Sequence, residues 1–379
     1  MTAVFASFAA WLFPSFGVLR KGFDNPSRLN IDAFVVLACW YTLIFLSFFI
    51  GEKFGELLGP GVAPRKPRLL DLNSNTIYYS FTVLCGVGIG MTLIVIFRSL
   101  SFQQALIFIA LGEANSLKEA LYEGYSVGFV SFRYLVLYSA AVAIYRMIRV
   151  KSFSFVNWLN VFLLAVSTVI LGSRLIFIAT LLTATLLLTF DRSRVRISVT
   201  KTVAVAMILF LILAVANFAR NKGYYERNRL SFIEAGVSEI LAYLGSPFQA
   251  AVGSAPVADQ LVAGGDQTYR DYVDEEINLN TNSAFVHLHE QMGYASWPYI
   301  AVVCSFMGFL FRFMESLGKT IFLLPCGAIL YGSAELWRLD LFHQGIFIVW
   351  ILVGIGLPLV LICCQRVFAL MADRETVLN

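Results

Sequence analysis

A compact polar cluster, Asn280-Thr281-Asn282 through His287-Leu288-His289-Glu290-Gln291, holds two of the three histidines of the chain and a carboxylate beside them. Histidine is the most frequent general base in enzymes, with carboxylates next. His289, Glu290 and His287 are therefore the candidates to take a proton from a hydroxyl. Helical spacing puts His287 on one face with Glu290 and Gln291 and turns His289 toward Phe285. Two histidines two residues apart cannot chelate one metal from a helix, and the His-Glu-x-x-His pattern is missing, so no metal is expected.

A second set is cationic. Arg174, Arg220, Arg98, Arg133 and Arg338 lie at or near the ends of apolar runs. Arginine suits a phosphate because its planar fork donates two parallel hydrogen bonds. A departing anion builds negative charge, which fixed cations stabilise where water is scarce. No Asp-x-Asp motif occurs on the same side to hold a divalent cation, so arginine would have to supply the charge. Arg174 and Arg220 lead, since both sit at span ends. Each of the five could instead snorkel from a helix end. Tyr243 and Tyr294, with Tyr269 and Tyr272, offer faces for sugar rings or an interfacial aromatic belt. Asn280 and Asn282 could hydrogen-bond sugar hydroxyls or serve a turn.

The elements that must position these groups are membrane helices. Hydrophobic residues make up 59% of the 379 residues, charged residues 14%, and the mean hydropathy is +0.76. That balance excludes a water-soluble domain, and runs long enough to cross a bilayer exclude a β-barrel pattern. The expected fold is an all-α polytopic membrane protein. About ten transmembrane helices are expected, at 2–19, 32–51, 75–97, 126–145, 154–172, 174–190, 200–218, 297–314, 319–336 and 343–364. The first reads as a retained span or interfacial helix, because a basic n-region and a clear cleavage site are missing. The chain divides into helices 1–218, a large polar loop 219–296, and helices and tail 297–379. No internal repeat supports a two-halved transporter. The six cysteines all lie in apolar runs and read as small buried hydrophobes.

Fifteen of the 28 lysines and arginines fall in the short loops and tail that are inside when both termini are cytoplasmic. The long loop is then outside. Within it, apolar positions from Leu230 to Leu244 predict a helix that Gly245 and Pro247 stop. Residues 252–268 read as irregular, and a second helix is expected from near Asn282 through Gln291, ending at Gly293.

This order of features resembles the Wzy-type oligosaccharide repeat-unit polymerases, the O-antigen polymerases of bacterial inner membranes. Leu171-Gly172-Ser173-Arg174 looks like the family's small-residue-plus-arginine turn between spans. Phe218-Ala219-Arg220 looks like the arginine that opens its large periplasmic loop. Tyr243 to Pro247 looks like its Tyr-x-x-x-Pro element, and Asn280 through Gly293 like its Asn-x-x-Thr…Asp-Phe-Gly closing element. Here Gln291-Met292-Gly293 replaces Asp-Phe-Gly, which leaves Glu290 as the nearest carboxylate.

The resemblance covers residues 165–315 in motif. It implies a GT-C-like, metal-independent glycosyltransferase without cofactor, in the inner membrane with the large loop periplasmic. Its donor would be a growing glycan on undecaprenyl diphosphate, held by Arg174 and Arg220, and its acceptor a new lipid-linked repeat unit. A chain-length regulator protein would be a partner, alongside membrane lipids; no nucleic acid is expected. Two alternatives stay open: an O-antigen ligase-type enzyme, and a flippase or transporter of lipid-linked sugars.

Overall fold

The computed structural model describes residues 2–15, 31–59, 75–111, 129–169, 174–190, 207, 211, 231–259, 283–317 and 320–378. All regular structure among them is helical. In chain order the α-helices are α1 (Thr2–Ser15), α2 (Ile31–Leu58), α3 (Asn75–Ser99), α4 (Phe102–Leu111), α5 (Val136–Tyr145), α6 (Phe155–Val169), α7 (Arg174–Phe190), α8 (Phe232–Ser254), α9 (Ala284–Met292), α10 (Ser296–Ser316), α11 (Leu323–Glu335) and α12 (Gly345–Leu378). Ile31–Leu58, Asn75–Arg98 and Ala284–Ser316 are long and apolar enough to cross a membrane, which points to a membrane protein. Phe155–Thr168, Leu175–Phe190 and Gly345–Leu361 are shorter apolar helices. The expected span 200–218 lies outside the described residues apart from two positions.

Small residues set the closest helix pair. Ser47, Gly51 and Gly55 recur every fourth residue and so share one face of α2. A methyl group on Gly51 would lie 1.8 Å from the Ser305 carbonyl oxygen, and one on Gly308 would lie 2.1 Å from that of Phe48. Only glycine lets the backbones of α2 and α10 approach this far. At one end of the pair Arg312 reaches Glu56 at 3.6 Å.

Aromatic hydrogen bonds fasten α12 to α5. Trp350 Nε1 donates to the Tyr134 carbonyl at 2.8 Å, and the Tyr138 hydroxyl donates to the Trp350 carbonyl at 2.8 Å. Before α5, the 3-10 segment Phe129–Leu135 lies against α3. Gly88 allows this contact, since a methyl there would fall 2.0 Å from the Arg133 nitrogen.

Four expectations change. Residues 98–125 were expected to be a loop, yet α4 lies within them. The fourth span is not a continuous α-helix: 3-10, α and π turns succeed one another from Phe129 to Val150. Pro247 does not end its helix, because α8 continues to Ser254. Helix α1 packs beside the proline and bonds α8 on both sides of it. The Ser7 hydroxyl donates to the Leu244 carbonyl at 2.7 Å, and Trp11 Nε1 donates to Gln249 Oε1 at 2.6 Å. Phe8, Trp11 and Phe248 pack ring to ring around the proline turn. The segment expected to be irregular therefore begins as helix, with a 3-10 turn at Ala255–Val257. The start of α8 obeys local rules: Ser231 and Glu234 form a reciprocal capping box.

Candidate functional site

Helix α9 carries the second part of the polar cluster, from Ala284 on. Ser283 occupies its N-cap position, and Gly293 at φ 55° terminates it with a backbone that glycine adopts freely. One 3-10 turn, Gly293–Ala295, then leads into α10, so the helix carrying two histidines is part of a segment long and apolar enough to cross a membrane.

The two histidines have opposite environments. His289 is buried, at 1% exposure. Its Nε2 lies 2.7 Å from the Ala258 carbonyl oxygen, which can only accept, so Nε2 carries the proton. Its Nδ1 has no hydrogen-bond partner among the described residues. Phe285 stacks on the ring at 5.8 Å, and Tyr294 meets it edge-on at 5.2 Å. The Tyr294 hydroxyl donates to Asp259, so its polar end is engaged although the side chain is exposed. Together His289 and Tyr294 clamp the segment Ala258–Asp259 onto α9.

His287, by contrast, is half-buried and faces another element. Its Nε2 lies 3.1 Å from Gln291 Nε2, one turn on. Its ring is near-parallel to that of His343, with centroids 6.2 Å apart. Glu290 is half-buried on the same helix.

The turn between α11 and α12 supplies the other side of this site. Arg338 and Leu339 both donate backbone N–H to the Glu335 carbonyl, at 2.8 and 2.7 Å, which fixes the turn. Arg338 Nε donates to Glu335 Oε2 at 2.9 Å, and the Tyr331 hydroxyl donates to Glu335 Oε1 at 2.7 Å. Both partners of this ion pair are buried. Asp340 follows, fully buried. Its Oδ1 accepts the Phe342 N–H at 2.9 Å, a side-chain turn of the kind aspartate favours. Its Oδ2 accepts from His343 Nδ1 at 3.1 Å and from the Tyr299 hydroxyl of α10 at 3.2 Å. The His343 side chain is 41% exposed. Three elements, α9, α10 and this turn, thus bring together His287, His343, Asp340 and Tyr299.

The expected cations scatter. Arg133 is buried, with Nη2 donating to the Tyr134 hydroxyl at 2.6 Å and Nη1 reaching Thr92 Oγ1 at 3.5 Å. Its guanidinium also sits 4.5 Å from the Tyr134 ring centroid. Arg98 lies exposed in the last turn of α3. Arg338 is engaged by Glu335. Arg174 begins α7, but its side chain lies outside the described set, as does that of Tyr243 in α8. Arg220, Asn280 and Asn282 lie outside the described residues altogether.

His343, Asp340, Tyr299 and Glu335 were not singled out from the sequence. A signal was available: Glu335, Arg338, Asp340 and His343 crowd the end of one expected span, the start of the next and the short segment between them. Such a density of ionisable groups beside a bilayer is a functional hint. Among the described residues, no three His, Cys, Asp or Glu side chains are grouped so as to hold a metal ion. Comparisons of the chain with protein-family models, with curated proteins and with solved structures return no match.

Proposed function

We infer that the chain is a GT-C-like glycosyltransferase that joins lipid-linked oligosaccharide repeat units into a surface polysaccharide. One observation carries this reading: an imidazole from α9, a phenol from α10, and an imidazole and a carboxylate from the α11–α12 turn meet at one end of an apolar helix bundle. A lipid-linked substrate needs that arrangement, with its chain beside apolar helices and its reacting atoms among polar groups at their ends. The resemblance of residues 165–315 to Wzy-type polymerases supports the same assignment.

In this reading the site faces the periplasm of a bacterial inner membrane, and both termini are cytoplasmic. Arg174 and Arg220 hold the undecaprenyl diphosphate as it leaves, with Arg98 and Arg133 in support. Arg338 is a weaker choice than its sequence position implied, because Glu335 already neutralises it. His287 and Glu290 face the acceptor sugar, whereas the burial of His289 assigns it to the clamp. Tyr243, Tyr294, Asn280 and Asn282 contact sugar, and a chain-length regulator is the protein partner.

Incubating the purified protein in proteoliposomes with lipid-linked repeat units tests the reading. A ladder of lengthening glycans is expected. Inert protein that becomes active only when lipid A core is added would establish the ligase instead. Movement of intact lipid-linked units across the bilayer, without a new glycosidic bond, would establish a flippase.

A further inference from the structure

We propose that His343 and Asp340 form the dyad that activates the acceptor hydroxyl, with His343 the catalytic base and Asp340 its positioning residue; the proposal rests on the glycosyl-transfer reading above. The geometry fixes the protons. An ionised carboxylate only accepts hydrogen bonds, so the 3.1 Å contact to Asp340 Oδ2 puts the proton of neutral His343 on Nδ1. Nε2 then carries the lone pair, and it has no hydrogen-bond partner among the described residues. Asp340 cannot turn away, because Tyr299 and the Phe342 N–H hold its two oxygens and it is fully buried. A buried carboxylate that orients an imidazole and stabilises its cationic form is the logic of a hydrolytic triad.

His343 is also the most exposed of the three histidines. Its side chain is 41% exposed, whereas His289 is at 1% and hydrogen-bonded to a backbone carbonyl. His287 lies alongside His343 with its own Nε2 directed to Gln291, so it forms a wall of the site.

The step balances without a cofactor. The acceptor hydroxyl oxygen forms a bond to the anomeric carbon of the donor glycan. The bond from that carbon to the phosphate oxygen breaks, and the lipid diphosphate leaves with the electron pair. The hydroxyl proton passes to His343 Nε2, is held as imidazolium against Asp340, and is then released to water.

The test uses the full chain in proteoliposomes with lipid-linked repeat units, comparing the wild type with His343→Gln, His343→Ala and Asp340→Asn. His343→Gln should slow elongation by about 10²–10⁴-fold, the usual contribution of a general base. Added imidazole should restore part of the rate of His343→Ala. Asp340→Asn should lower kcat while leaving KM unchanged. Thermal melting shows that each variant is folded. A wild type that elongates normally beside an equally fast His343→Gln overturns the dyad alone. So does a slow His343→Ala that imidazole does not rescue. A wild type that forms no glycosidic bond overturns the glycosyl-transfer reading and the dyad with it.

Discussion

Two polar clusters occupy opposite ends of one bundle, and they differ in what they leave exposed. At one end the Tyr78 hydroxyl donates to Asn157 Oδ1 at 2.7 Å, and Asn160 Nδ2 donates to the Tyr78 and Thr82 oxygens, each at 2.9 Å. Arg146 lies over the Tyr78 ring at 4.3 Å and donates to Asn75 Oδ1 at 3.3 Å. At the other end stand Asp340, His343, Tyr299 and His287. Helix α5 and its flanking turns separate the two, meeting Trp350 through Tyr134 at one end and Asn75 through Arg146 at the other. The first cluster is an interlocked set of neutral side chains with one arginine, as buried polar groups in helix bundles generally are. The second presents an exposed imidazole with a charged group behind it. Polarity among apolar helices is therefore not enough to mark a reactive site. A lone pair left unused and held in position is the better mark.

Substitutions can break this contrast, the largest effects first. Arg174→Ala or Arg220→Ala should abolish long-chain glycan while the protein still inserts and accumulates. Normal chain length in both, read on a gel of the polysaccharide, would remove arginine from the mechanism. Lysine at either position should also impair activity, because the bidentate phosphate contact is lost. Glu335→Ala strips the partner from buried Arg338, which costs about 3–5 kcal/mol for a buried ion pair. Thermal melting in detergent should show a large fall, and an unchanged midpoint would mean that the pair is not buried in solution. Gly51→Val should separate α2 from α10 and cost about 1–3 kcal/mol or more for an overpacked contact, again read by melting. Asn160→Ala should cost about 1–3 kcal/mol through the hydrogen bonds it breaks, with the rate per folded molecule unchanged. His289→Phe, the smallest effect, should cost about 1 kcal/mol for one lost hydrogen bond. It should loosen Ala258–Asp259 toward proteases and spare the chemistry.

What the sequence made legible was local. The limits of α9 follow from the polar residue before it and the glycine after it, and the turn of His289 toward Phe285 follows from helical spacing. The helical, apolar character of the chain follows from composition. What it hid depends on distant partners. The contacts that brace α8 around Pro247 come from Ser7 and Trp11, far away in the chain. The burial of His289 needs Ala258, and the significance of His343 needs His287 and Tyr299 from separate elements. Spacing along the chain shows which residues share a helix face, but not which face meets another.

The most direct test is the rate of glycan elongation per folded molecule, measured side by side for the wild type, His343→Gln and Asn160→Ala. A loss of about 10²-fold or more is expected for His343→Gln, the contribution of a general base, and a rate close to wild type for Asn160→Ala. Equal rates for all three, or a larger loss from Asn160→Ala, would contradict a catalytic role for His343.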